Sequence, residues 1–238
     1  MRGEVAVNGN LRGRARRAGA AGLLAAALAW PLPANATLGV SMVIVDFTDP
    51  ARRVSDVELE NKGKDRLYVT VEPSRVVNPG AAGERRVQEP DPEKLGLLVS
   101  PARLVLEPGE RKLLRIVATG EPAAEDRVYR VLVKPVVGRV KSETTAIKVL
   151  VGFDLLVIQR PAQPQAALTA QRQGGFLVFR NAGNTNALLF DGKQCAARCQ
   201  PIETKRIYAG GEWRVRVAPA AKVTYKVQTG NKVEVRDF

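Results

Sequence analysis

Histidine is absent from this 238-residue chain, and cysteine and aromatic residues are scarce. Without histidine there is no imidazole to act as a general base, activate a nucleophile or ligate a metal. That argues against an ordinary hydrolase, and no carboxylate pair stands in a compelling context, so the chain reads as a non-enzyme. The two cysteines, Cys195 and Cys199, fall together in QCAARC. In an oxidising compartment they favour a disulfide that pins a local turn. A metal site is the alternative, but it needs two more ligands and no histidine can supply them. Aromatics make up 5% of residues, which leaves few platforms for stacking bases. Asn181-Ala182-Gly183-Asn184 lacks the glycine spacing and the Lys-Ser/Thr of a phosphate loop, so it reads as a plain turn. No cofactor is implied.

Long apolar runs are missing too, except near the start. Arg12, Arg14, Arg16 and Arg17 precede an Ala/Leu-rich stretch from Ala18 to Leu32, and Ala34-Asn35-Ala36 follows. This is the pattern of a secretory signal, with a basic region, an apolar region and a small-x-small cleavage site. Residues 1–36 are therefore expected to be the signal and Thr37 the first mature residue. The apolar run is shorter than the roughly 20 residues a bilayer crossing needs, so stable membrane insertion is not expected. The formal charge is +13; five arginines against Glu4 carry a net +4 in the leader, which leaves +9. Lysine and arginine are scattered among aspartate and glutamate rather than clustered. Export, scattered charge and few aromatics together argue against a nucleic-acid partner.

After the leader, short alternating runs follow one another at strand length, with almost no helical pattern. Val40–Phe47, Val54–Glu60, Leu67–Glu72, Leu97–Ser100, Leu104–Leu106, Lys112–Ala118 and Val128–Val137 read as strands. Asn61-Lys62-Gly63, Asn78-Pro79-Gly80 and Glu107-Pro108-Gly109-Glu110 read as turns, and residues 80–94 as a loop. Strands with turn signals about every 8–12 residues are the pattern of a β-sandwich of immunoglobulin-like size. Pro161–Gln165 is a Pro-rich linker. Runs at Phe176–Arg180, Asn186–Phe190, Glu203–Tyr208, Glu212–Val217 and Lys222–Lys226, with the closing VEVRD, make a second and smaller β domain. The expected domains are 37–161 and 162–238. Trp213 and Tyr208 read as packing of the second.

The segment from Thr144 to Pro161, TTAIKVLVGFDLLVIQRP, stands apart. Ile147, Val149, Val151 and Phe153 alternate along one side of a strand. From Leu150 to Ile158 the other side is apolar too, apart from Gly152 and Asp154. Such a strand needs a cover on each face. One can be the domain's own core; the other makes the segment a candidate binding surface.

Several motifs, in order, resemble one family. They are VNPG at Val77–Gly80, LLVSPARLVLEPGERKLLRIV at Leu97–Val117, VYRVLVKP at Val128–Pro135, the strand ending Gln159-Arg160-Pro161, and NAGNTNALLFDGKQC at Asn181–Cys195. Together they resemble the periplasmic chaperones of the chaperone–usher pathway, the PapD-like family, closest to its alternate, alpha-type branch. The resemblance implies an all-β fold of two immunoglobulin-like sandwiches in a boomerang arrangement. It implies a periplasmic chaperone that caps pilin subunits by lending them a strand and passes them to an outer-membrane usher. A secreted structural pilus subunit or adhesin is the alternative function. By the resemblance, Thr145, Ile147, Val149, Val151 and Phe153 are the donor residues. The basic loop Arg139-Val140-Lys141 reads as a solvated hairpin tip, with ordering on pilin binding as the alternative the resemblance implies, and self-association of the free protein through its exposed strand stays open. Many members anchor the pilin carboxylate with an Arg in the first strand and a Lys late in the long one. Here VSMVIV carries no base, and Asp154 stands seven residues before Pro161. Lys148, Arg52 and Arg53 are the substitute candidates.

Overall fold

The computed structural model describes residues 37–136 and 150–238. In chain order the first lobe runs β1 (Leu38–Val40), β2 (Ile44–Phe47), β3 (Val54–Asn61), β4 (Leu67–Val77), β5 (Arg85–Val87), a single short helix α1 (Pro92–Leu95), β6 (Leu97–Ser100), β7 (Arg103–Leu106), β8 (Arg111–Ala118), β9 (Arg127–Val136) and β10 (Phe153–Gln159). The second lobe holds β11 (Leu168–Gln173), β12 (Phe176–Asn181), β13 (Ala187–Cys195), β14 (Cys199–Ile202), β15 (Lys205–Ile207), β16 (Glu212–Arg216), β17 (Lys222–Thr229) and β18 (Lys232–Asp237).

Two sheets face each other in the first lobe, ordered β1-β3-β8-β6 and β2-β10-β9-β4-β5, with β7 paired to β4. Alternation decides which side of each strand is buried. In β8, Leu114, Ile116 and Ala118 are buried while Arg111, Leu113 and Arg115 stand outside. In β4, Leu67, Val69 and Val71 point inward. These join Val57, Leu59, Leu106, Tyr129, Val131, Leu155 and Val157 in one core. The second lobe repeats the plan with β11-β12-β16 over β14-β13-β17-β18. Its separate core centres on Phe179, Trp213, Val223 and Tyr225. Phe179 stacks on Trp213 with ring centroids 5.4 Å apart. Among the described residues the fold is thus all-β apart from one helical turn, in two sandwiches.

Both lobes lock a turn with a fully buried asparagine. Asn61 Nδ2 donates to the carbonyls of Asp65 and Leu106 at 2.8 and 3.0 Å, and its Oδ1 accepts from Gly63 N–H. Asn181 Nδ2 donates to Thr185 and Ile207 at 2.8 and 3.1 Å, and its Oδ1 accepts from Gly183 N–H. A buried amide is stable only when its hydrogen-bonding groups are matched, and both of these are.

Three elements depart from the alternation pattern. The run from Val40 to Phe47 divides: β1 pairs with β3 in one sheet, and β2 pairs with β10 in the other. The chain switches sheets at Ser41–Val43, so one apolar run serves two layers. The segment 80–94, read as loop, contains β5 and the start of α1. Asp91 caps that helix by accepting from Glu93 N–H, Pro92 opens it, and Gly96 closes it at φ 85°. The described part of the long strand is shorter than the pattern suggests, because β10 begins only at Phe153.

Candidate binding edge

β10 is flanked differently along its length. On one side Phe153–Gln159 pairs antiparallel with β9, residue for residue. On the other, only Leu156–Gln159 pairs, parallel, with β2. The last tie on that side is Leu156 N–H to Val43 O at 2.9 Å. Among the described residues, no strand pairs with this edge from Phe153 to Leu155. An open strand edge offers unpaired backbone groups to another chain.

The side chains change along the same line. Leu155 and Val157 are fully buried in the first-lobe core. Phe153, on the same face, only packs against its margin. Val151 is 47% exposed. One apolar row therefore runs from sealed core to open water over a few residues. At Gly152 the backbone approaches β9 so closely that a Cβ would lie 2.9 Å from Val133 O. Beside the open edge, Met42, Val43, Ile44 and Val54 are also exposed, at 39%, 50%, 45% and 53%. Met42, Ile44 and Val54 line a cavity of about 250 Å³ together with Arg52.

Of the donor residues named from the sequence, Val151 and Phe153 are the two that the described residues place here. Thr145, Ile147 and Val149 lie outside the described residues, as do Lys148 and the loop Arg139–Lys141. The second face of the strand has a cover within the chain from Leu156 onward. Leu156 and Ile158 are buried with Val76 and Val128, and Tyr208 of the second lobe packs over them. The expectation of an uncovered second face therefore does not hold for this half of the strand.

The charged residues sort differently from the sequence reading. Arg53 forks onto Glu121 at 2.9 and 3.1 Å. That bond is the main cause of a lowered Glu121 carboxyl pKa. Arg52 remains on the cavity wall beside Met42 and Ile44. Asp154 accepts both amino groups of Arg86 at 2.6 and 3.2 Å and lies 3.9 Å from Arg130. Asp154 and Arg86 are 68 residues apart, and Arg86 sits in the segment read as a loop, so no linear spacing connects them.

β10 ends in a buried polar joint. Arg160, with its side chain 2% exposed, forks onto Asp46 of β2 at 2.8 and 2.8 Å. Its third contact is Thr185 Oγ1 of the second lobe at 2.5 Å. Thr185 donates to Asp126 at 2.8 Å, and Asp126 also receives Asn186 N–H at 2.6 Å and Asn186 Nδ2 at 2.5 Å. Arg206 closes the chain of contacts on Asn186 Oδ1. Burial lowers the Arg206 pKa. Arg160 stands in the motif that ends the long strand, but Asp46 is 114 positions away and in no motif, so this joint is visible only in three dimensions.

Cys195 and Cys199 form a disulfide with Cα atoms 4.0 Å apart, joining β13 to β14 at the tip of their hairpin. No helix among the described residues is long and apolar enough to cross a membrane.

No protein-family model matches the chain. A CFA/I fimbrial subunit of Escherichia coli is 27% identical over 165 residues, which is 66% of this chain and 68% of the relative. Among solved structures, the class 5 fimbriae chaperone CfaA aligns with TM-score 0.63 at 20% identity, over 84% of this chain and 98% of that one. A chain of the complex between the Salmonella enterica SafA pilin and the SafB chaperone aligns with TM-score 0.59 at 15% identity, over 87% and 98%. In fold, this chain is of the two-domain, immunoglobulin-like type built by the fimbrial chaperones.

Proposed function

We propose that this chain is a periplasmic chaperone of fimbrial assembly, acting by binding rather than catalysis. It captures pilin subunits by lending the upstream part of its long strand. The observation that carries the reading is the apolar row leaving the first-lobe core through Phe153 to Val151, beside an edge that no strand among the described residues pairs. An incomplete sandwich needs both things on offer: backbone groups to extend its sheet and alternating apolar side chains to fill its interior. Burying one such side chain is worth roughly 1.5–3 kcal/mol. Thr145, Ile147 and Val149 continue the row upstream in this reading. Of the cations named from the sequence, Arg53 is committed to Glu121, so Arg52 is the described candidate for a partner's terminal carboxylate, and Lys148 lies outside the described residues. The leader would direct the chain to the periplasm, an outer-membrane usher would receive the captured pilin, and unoccupied donor strands would pair with each other.

A structural pilin that awaits its last strand would expose a groove along its own core. Here Leu155 and Val157 from β10 fill the first-lobe core and are 0% exposed, which favours the lending role.

The test is co-purification from periplasm. Wild-type chain is expected to bring down a small β-rich pilin, and Val151→Arg is expected to lose it. Val151 is exposed, so the substitution leaves the fold intact by circular dichroism. Undiminished capture by Val151→Arg would refute the reading.

A further inference from the structure

The turn Val77-Asn78-Pro79-Gly80 has no part in the binding edge, yet the structure gives it a definite place. It follows β4, with Asn78 at φ 53° and Gly80 at φ 75°. Gly80 N–H donates to Glu84 Oε2 at 2.6 Å. The turn holds Gly80 so close to the Tyr208 ring that a Cβ there would sit 3.0 Å from it. Next to the turn lies a buried apolar cluster on the outer face of the sheet. Val76 pairs with Val128, and Val128 with Ile158, so the cluster spans three neighbouring strands, β4, β9 and β10. Leu156 completes it, and Tyr208 is the side chain of the second lobe that packs on it.

Tyr208 contributes nothing to the core of its own lobe, which is built by other residues. Its apolar partners all belong to the first lobe. Two of the four, Leu156 and Ile158, are on the strand whose upstream residues leave the core. Polar contacts hold that strand at its two ends, from Arg160 at the far one and from Arg86 on Asp154 at the near one. The ring grips it from outside, a few residues from Phe153.

We infer that Tyr208 is a positioning residue for the lent strand: seated on Val76, Val128, Leu156 and Ile158, it holds the downstream half of β10 so that Phe153 and Val151 leave the core in a fixed register. This rests on the proposed function. A strand presented in fixed register binds with less ordering cost than one that must be immobilised on contact. The turn at residues 77–80 thereby acquires a role as the rim of the seat.

The experiment compares wild type, Tyr208→Phe and Tyr208→Ala. Amide hydrogen exchange is measured on the chain alone, and capture on a β-sandwich pilin lacking its final strand. Tyr208→Ala is expected to raise exchange over residues 155–159 at least tenfold while β12 and β16 stay protected. Its complex with the pilin should dissociate about tenfold faster. Tyr208→Phe keeps the ring and should match wild type in both, a rescue that a general loss of stability would not give. Should Tyr208→Ala fail to accumulate, Leu156→Ala thins the same seat from the other side and is expected to show the same local exchange. Exchange over 155–159 within twofold of wild type overturns the inference. Wild-type capture by Tyr208→Ala, with Val151→Arg inactive, also overturns it and leaves the proposed function standing. A wild-type chain that captures nothing overturns both.

Discussion

Replacing Arg160 with alanine tests whether the two lobes are energetically joined. The guanidinium is 2% exposed and makes three short contacts, two to Asp46 and one to Thr185 Oγ1. Removing one partner of a buried pair leaves the other charge uncompensated, at about 3–5 kcal/mol. The Asp46 side chain keeps 22% exposure, so water can reach it and the lower end applies. The expected loss is about 3 kcal/mol. Removing both charges together as Asp46→Asn with Arg160→Met should cost less than Arg160→Ala alone, because no orphaned carboxylate remains. The assay is urea unfolding of the chain from Thr37 onward, followed by two probes. Circular dichroism reports both lobes. Tryptophan fluorescence reports the second, because Trp213 is then the sole tryptophan. If Arg160 couples the lobes through Thr185, Arg160→Ala shifts the Trp213 transition as well as the circular dichroism one. A cost below about 1 kcal/mol, or a Trp213 transition that does not move, would refute the reasoning.

Two further outcomes follow from local geometry. Gly192→Ala places a Cβ 2.2 Å from the fully buried Tyr225 ring, at the register shift in β13, so overpacking should cost about 1–3 kcal/mol. A Trp213-reported melt would show it, and an unchanged melting temperature would contradict it. Hydrogen bonds from Arg115, Arg53 and Lys222 hold the carboxyl pKa values of Asp56, Glu121 and Asp237 below their ordinary range. These groups contribute stability above their unfolded-chain pKa, about 4, and lose it as pH falls through the lower folded values. The melting temperature should therefore drop below about pH 4, and more gently for Asp56→Asn with Glu121→Gln; equal slopes would count against these pairs.

Much of the fold was legible because strand burial follows a two-residue period. The alternation in β8 and in the first part of β4 matches the buried faces residue by residue. Where it failed, a single run did two jobs. Val40–Phe47 reads as one continuous run, but local sequence carries no sign that its halves pair with different sheets. The segment 80–94 hid β5 because that strand is three residues long, exposed or half-buried, and held by β4 rather than by a core face. The candidate edge was partly legible. The apolar row at Val151 and Phe153 shows in the sequence, but periodicity alone cannot tell a core face from a docking face.

By itself, then, the chain's order of residues determined the all-β character, the two-part layout, the cysteine pair and the apolar alternation of the long strand, since each depends on neighbours a few positions apart. Only the tertiary structure decided that the strand is sealed at Leu155 and Val157 while Val151 is exposed, that Tyr208 covers its outer face, and that Asp46, Arg160 and Thr185 meet. Those facts rest on contacts between residues 25 to 114 positions apart, and such pairings form only when the sheets assemble.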